Sequence, residues 1–171
     1  MTEGNRSDKW RAKWVWTGEK LPPQNQYVYF REPFSLATLP ESVKCYITAE
    51  RYYRLWINGS PVGQGPALGH PEDKSYDTYD VTRFLSLGKN VIAVLVHYDN
   101  LDPDSQGEPH FKLFIPETRG GLFCELREQL KEDDKFILGT DQSWRTHRAF
   151  AWRDDAPFLD DVTFQEHYTF G

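Results

Sequence analysis

Short apolar runs separated by turn residues are the feature that most constrains this chain. From Tyr27 onward these runs recur about every 8–12 residues, which is typical of antiparallel sandwiches and barrels. Asn58-Gly59 separates the run Tyr53–Ile57 from a return that begins at Pro61. Because both Asn and Gly tolerate positive φ, Asn-Gly between apolar runs is the strongest short-range hairpin signal. The sequence therefore predicts an all-β fold with a hairpin at this point.

The remaining runs differ in what they predict. The run 27–36 contains Pro33, which lacks the N–H of an interior ladder, so this strand is expected at a sheet edge or broken there. The run 90–96 is apolar on both faces and is expected to be a central strand. Residues 121–130 fit both a helical stripe and a strand face, and we interpret them as a strand paired with 136–138. Two further strands are predicted at 43–48 and 162–170.

A polar turn is predicted before the central strand. Thr82 or Asp80 can cap a helical turn at its start, and Gly88 can end it in the left-handed conformation. Residues 1–13 are polar and charged without an apolar centre, so we expect a flexible leader followed by one β-sandwich domain over 14–171. A chain of 171 residues fits one domain of this kind.

Charge and cysteine content narrow the function classes. The net charge is −6, and such a field repels the phosphates of nucleic acids and anionic membranes. Apolar stretches fall short of the roughly 20 residues that a spanning helix needs. Cys45 and Cys124 each lie inside an apolar run, so buried free thiols are expected, although a disulfide remains open. These features favour a reducing, cytoplasmic setting.

Catalytic and metal patterns are weak. Of the 26 acids, Glu166 and Asp80 stand in apolar settings that could shift a pKa, but structural carboxylates are the favoured interpretation. The five histidines lack zinc spacing, and Asp99, Asp102 and Asp104 match half of a calcium loop without its Gly and Glu. No catalytic residue, metal or cofactor is predicted.

Aromatic residues offer a different chemistry. The chain has six Trp and nine Tyr, and flat rings can stack on the C–H face of a sugar while polar neighbours bond its hydroxyls. Such rings can equally pack the edge of a sandwich. The carbohydrate-binding candidates are Trp16, Gln64, His97, Tyr98 and Trp152.

Several stretches, taken in order, resemble the N-terminal domain of bacterial alpha-L-rhamnosidases. They are 51–59 (RYYRLWING), 62–67 (VGQGPA), 77–82 (DTYDVT), 88–97 (GKNVIAVLVH), 119–126 (RGGLFCEL), 139–144 (GTDQSW) and 164–167 (FQEH). The hairpin, the turn and the central strand are also similar to the sugar-binding domain of beta-galactosidase-like enzymes. The resemblance implies a jelly-roll, galactose-binding-like β-sandwich within an inverting glycosidase whose acid and base sit in a separate helical barrel.

Two classes of function follow from this resemblance. The first is a non-catalytic accessory domain that packs on the catalytic domain or subunit of a glycoside hydrolase. The second is an autonomous carbohydrate-binding module, with a rhamnose-containing saccharide as its ligand. An enzyme in its own right is the least favoured interpretation, because the helical barrel has no counterpart in this chain.

Overall fold

The computed structural model describes residues 10–18, 25–66, 76–98, 120–152 and 155, together with the backbone of 158–159 and 163–164. Its regular elements in these ranges are strands and a short 3-10 helix at Thr82–Phe84. The strands are β1 (Gln26–Leu36), β2 (Val43–Ala49), β3 (Tyr52–Ile57), β4 (Ser60–Gly65), β5 (Asp77–Asp80), β6 (Gly88–Tyr98), β7 (Leu122–Glu128), β8 (Lys135–Gly139), β9 (Arg145–Arg148), β10 (Phe158–Leu159) and β11 (Thr163–Phe164).

The strands form two larger sheets and one small hairpin. A five-stranded sheet has the order β4-β3-β6-β1-β9, a four-stranded sheet has the order β5-β2-β7-β8, and β10 pairs with β11. Neighbouring strands run antiparallel. The chain crosses repeatedly from one sheet to the other, as it does in jelly-roll sandwiches. The expected all-β sandwich is confirmed.

The core lies between the inner faces of the two sheets. Along β3 the buried residues alternate with half-exposed ones, which is the period of 2 that a strand with one covered face requires. Burying each large aliphatic or aromatic side chain stabilises the fold by about 1.5–3 kcal/mol. Residues of this core include Val28, Phe30, Ile47, Leu55, Ile57, Ile92, Val94, Val96, Leu122 and Leu126.

The five-stranded sheet refines two expectations. β6 lies between β3 and β1, so the predicted central strand is confirmed. β1 continues unbroken through Pro33, which pairs with Val91 of β6. On its other side β1 pairs with β9 only over Val28–Arg31. Within the described residues, Pro33 therefore lies where this side of β1 has no neighbouring strand, and its missing N–H interrupts no ladder there.

The Asn58-Gly59 hairpin is confirmed. Their φ angles are 51° and 80°, the left-handed values that a tight hairpin turn requires. The Asn58 side chain also fastens the turn to neighbouring loops. Its Nδ2 donates to the Phe84 carbonyl at 2.9 Å and to Asn90 Oδ1 at 2.8 Å. The same residue thus makes the turn and ties it to the start of β6.

The turn before β6 is built slightly differently from the prediction. Asp80 Oδ1 accepts bonds from the Thr82 amide at 3.0 Å and the Thr82 hydroxyl at 2.7 Å. The residue at the cap position is Val81, whose side chain makes no capping bond. Asp80 therefore bonds to the helix from the residue before its cap. Gly88 has the predicted left-handed conformation with φ of 80°, but it begins β6, because the helix already ends at Phe84 with Leu85 as its C-cap.

The four-stranded sheet confirms the predicted β7–β8 hairpin. It also contains both cysteines, which are buried and free. Cys45 of β2 and Cys124 of β7 point into the core with their sulfurs 3.6 Å apart. Hydrogen bonding to Cys45 and burial raise the pKa of the Cys124 thiol. The pair accordingly belongs to the core and lacks the environment of a reactive thiolate.

A segment N-terminal to β1 covers the outer face of the four-stranded sheet. The Trp10 ring packs edge-on against Tyr46 and Phe123, with centroids 5.3 and 5.5 Å apart. Val15 then bridges to Leu122. Residues 10–13 were assigned to the leader from sequence, yet Ala12 is buried and Trp10 is half-buried. The rest of that leader, residues 1–9, lies outside the described residues.

Candidate functional site

The structure describes one of the two carboxylates singled out from sequence, Asp80. Asp80 is exposed rather than in an apolar setting, and the bonds from the Thr82 side chain and amide lower the pKa of its carboxyl group. A general acid needs the opposite shift. Glu166 lies outside the described residues, as do Asp99, Asp102 and Asp104.

A buried carboxylate that sequence reasoning missed is Glu125 of β7. Its side chain is 0% exposed, and its oxygens accept bonds from the amides of Arg11 and Ala12 at 2.9 and 2.7 Å and from Arg127 Nε. The Arg127 guanidinium in turn lies 4.3 Å from the Trp10 ring centroid. This arrangement uses the carboxylate to fasten the N-terminal segment to the sheet.

The same region contains an open cavity of about 310 Å³. Glu125 is engaged by its donors. The other two carboxylates of the cavity, Asp133 and Asp134, are neighbours in one turn, where the Asp134 amide donates to Asp133 Oδ1 at 3.1 Å. Among the described residues, no group of three or more His, Cys, Asp or Glu side chains could hold a metal ion. The cavity is lined by Arg11, Glu125, Arg127, Asp133, Asp134 and Phe136.

Two of the five carbohydrate-binding candidates pack within the sandwich. Tyr98 is 1% exposed, so its ring offers no surface on which a sugar could stack. Trp16 is half-buried, and its ring lies 5.6 Å from Tyr98 and 5.7 Å from Phe30. The geometry therefore argues against these two rings as a platform.

Two other candidates meet on the outer face of the five-stranded sheet. Both rings stack on Tyr27, with centroid distances of 4.2 Å for His97 and 4.7 Å for Trp152. The His97 Nε2 atom is also 2.8 Å from Asn25 Oδ1, and the Arg54 guanidinium lies 5.4 Å from the Trp152 centroid. Tyr27 was not predicted from sequence, but its register opposite His97 makes it the residue that joins them.

The fifth candidate, Gln64, reaches this same outer face. It is exposed on β4 and pairs directly with Arg54. Arg54 pairs with Leu95 on β6, which pairs with Tyr29 on β1. Residues directly opposite each other share a face, so Gln64 lies in one row with these neighbours.

A second row on this face was not predicted from sequence. Trp56 pairs with Ala93, Ala93 with Arg31, and Arg31 with Arg145. Alternation along β3 indicates that Arg54 and Trp56 share a face, but it cannot show which residues of distant strands stand beside them. The residues of this row are brought together by the register of four strands.

We call this surface the basic aromatic face. Its paired outward positions contain arginine, histidine and aromatic residues and no acid, although the whole chain has a net charge of −6. Such a surface attracts anions locally, even though the net charge of the whole protein is negative. The face comprises Tyr27, Tyr29, Arg31, Tyr52, Arg54, Trp56, Gln64, Ala93, Leu95, His97, Arg145 and His147.

Comparison with known proteins decides the family. The alpha-L-rhamnosidase N-terminal domain family matches residues 39–155, which is more than half of the chain. The chain therefore belongs to the alpha-L-rhamnosidase N-terminal domain family. This agrees with the resemblance found in the sequence motifs, and it separates the chain from the beta-galactosidase-like alternative.

Relatives of this rhamnosidase domain are much longer proteins. An alpha-L-rhamnosidase of Formosa agariphila is 28% identical over 158 residues, covering 82% of this chain and 16% of the relative. The GH78 family rhamnosidase of Bacillus sp. GL1 is 31% identical with a TM-score of 0.76, covering 93% of this chain and 16% of its own. The alpha-L-rhamnosidase of Aspergillus terreus is 26% identical with a TM-score of 0.62, covering 77% and 16%. The chain thus spans about a sixth of each relative.

Within the described residues, no helix is both long and apolar enough to cross a membrane.

Proposed function

We propose that this chain is a non-catalytic accessory domain that packs on the catalytic part of an alpha-L-rhamnosidase-type glycoside hydrolase. The observation that carries the proposal is the family match over 39–155 in a chain that spans about 16% of its relatives' length. The described carboxylates support it, because Asp80 and Glu125 are engaged in turn and segment contacts. The buried free thiols favour a cytoplasmic location.

The catalytic half of this proposal is tested with an aryl alpha-L-rhamnoside. The purified chain is expected to release no aryl alcohol above the buffer rate, since the described carboxylates Asp80 and Glu125 are engaged in turn and segment contacts. Release that is abolished by Glu166→Gln would contradict the proposal and assign catalysis to this chain. Release that persists in Glu166→Gln would point to contaminating hydrolase, which a second purification would remove.

The packing half is tested with the Bacillus sp. GL1 rhamnosidase from which the matching segment has been removed. Sedimentation velocity of this truncated enzyme with the chain is expected to show saturable association. The excised Bacillus segment, added in trans, is the positive control. Association of that control without association of the chain would contradict the packing proposal.

A second function, saccharide binding, is favoured by the basic aromatic face. The face includes the predicted candidates Gln64 and His97 but neither Trp16 nor Tyr98.

A further inference from the structure

We propose that the basic aromatic face binds an anionic saccharide, a pyranose carrying a carboxylate, in the depression over Ala93. This ligand class goes beyond an accessory packing role and does not depend on it. The site is formed by the row Trp56, Ala93, Arg31 and Arg145.

The depression is produced by a small residue between two large ones. Ala93 is partly exposed, and its neighbours across the ladders are Trp56 on β3 and Arg31 on β1. Adjacent strands lie about 4.8 Å apart, so the backbones that carry these two side chains lie roughly 10 Å from each other. In the next row Leu95 is only 4% exposed, because it forms a cluster with Tyr27 and Ala149 against which the Trp56 and Trp152 rings pack. The open floor is therefore local to Ala93.

One wall of the depression concentrates positive charge. Arg31 and Arg145 are directly opposite on β1 and β9, and both are exposed. Like charges at directly opposite positions destabilise a sheet, and an anion bound between them would offset that repulsion. Glu32 is near Arg145 but occupies the alternate position of β1, where burial raises the pKa of its carboxyl group despite the bond from Ser143. A guanidinium pair is well suited to a carboxylate, which it binds in a bidentate geometry.

The other wall offers an aromatic surface. Trp56 is half-exposed at the edge of the depression, and Tyr29 is 38% exposed one row away. Aromatic rings combine a large apolar area with low conformational entropy cost, which suits the C–H face of a pyranose. Apolar rings on one side and cations on the other match a sugar that carries a carboxylate.

A saccharide fits this face better than a protein does. The depression is two strand spacings wide, whereas a stable protein interface covers about 800 Å² on each partner. An acidic protein partner is therefore treated as an outcome of the test.

The experiment titrates the 171-residue chain with a galacturonate trisaccharide and follows binding by NMR shifts and calorimetry. The expected result is saturable binding that weakens at high salt. The methyl-esterified trisaccharide, which keeps the rings and loses the charge, is expected to bind at least 10-fold more weakly. Arg31→Gln and Trp56→Ala should each weaken binding at least 10-fold. Arg83→Gln, an exposed arginine beside Phe84 and away from this face, is the matched control and should bind as the parent does.

Stability separates a binding role for Arg31 from a structural one. Removing one of two facing arginines relieves repulsion, so the thermal midpoint of Arg31→Gln should stay level or rise while its affinity falls. The proposal is overturned if the trisaccharide does not bind, if its methyl ester binds equally well, or if Arg31→Gln lowers the midpoint. Stronger binding of a sulfated galactose oligosaccharide would overturn the carboxylate as the recognised group. Equal binding of polyglutamate would overturn the saccharide and indicate an acidic protein as the partner.

Discussion

Glu125 gives the sharpest test of how the N-terminal segment is held. The side chain is 0% exposed and its ion-pair partner Arg127 is 11% exposed. Glu125→Ala would leave the guanidinium without its counter-charge, and breaking one side of a buried pair costs about 3–5 kcal/mol. It would also remove the acceptor of the buried Ala12 amide, which costs about 1–3 kcal/mol if nothing replaces it. Arg11 is exposed, so water can replace Glu125 as the acceptor for the Arg11 amide.

Undocking of the segment limits the measured loss. If residues 10–16 detach, Arg127 becomes solvated. The decrease in the free energy of unfolding therefore cannot exceed the free energy that holds the segment against the sheet. We therefore expect Glu125→Ala to cost about 3 kcal/mol, with exchange protection lost first at the Lys13 and Val15 amides, which donate to Thr140 and Leu122. Glu125→Gln keeps one acceptor oxygen and is expected to cost less.

The assay is urea unfolding, with hydrogen exchange of the native state as the local probe. Tryptophan fluorescence should report the change, because Trp10 contacts the Arg127 guanidinium. In a double-mutant cycle, Glu125→Ala and Arg127→Ala should show strong coupling, since Arg127→Ala removes the charge that Glu125→Ala exposes. A cost below about 1 kcal/mol for Glu125→Ala, or additive single effects, would refute the anchoring role.

Three further predictions concern other parts of the sandwich. Gly63→Ala should cost about 1–3 kcal/mol in urea unfolding, because its Cβ would overlap the Tyr79 ring; an unchanged midpoint would contradict this. Native Cys124 should react with iodoacetamide at least 100-fold more slowly than the unfolded chain, since burial and its hydrogen bond raise the thiol pKa; equal rates would contradict it. The Thr82 bonds lower the pKa of Asp80 in the folded state, so its carboxylate stabilises the fold above the pKa of the unfolded chain, and this stabilisation is lost as the pH falls below about 4. Asp80→Asn should therefore make the free energy of unfolding depend less on pH in acid. An unchanged pH dependence would contradict the role of the Thr82 bonds.

Local patterns determined the strands and their tightest turn. Asn58-Gly59 predicts its hairpin because positive φ is a property of those two residues alone. The apolar run 90–96 predicts a central strand because both of its faces must be covered. Such features depend on neighbours in sequence, and the family motifs are made of the same local stretches.

The candidate site was less predictable because it depends on register. Tyr98 and Trp16 have polar neighbours in sequence, yet Tyr98 is buried and Trp16 packs against both Tyr98 and Phe30. His97 and Trp152 are 55 positions apart and meet through Tyr27. Composition alone cannot distinguish a ring that covers the core from one that faces solvent.

The sequence by itself determined that the chain makes antiparallel strands and which of their faces are apolar, because alternation and turn preference act over a few residues. Only the tertiary structure decided that Trp56, Ala93, Arg31 and Arg145 stand in one row and that Glu125 is buried against the N-terminal segment. These contacts join strands that are distant in the chain. They are selected when the sheets pair and pack, since a shift of one residue in register would turn each side chain to the other face.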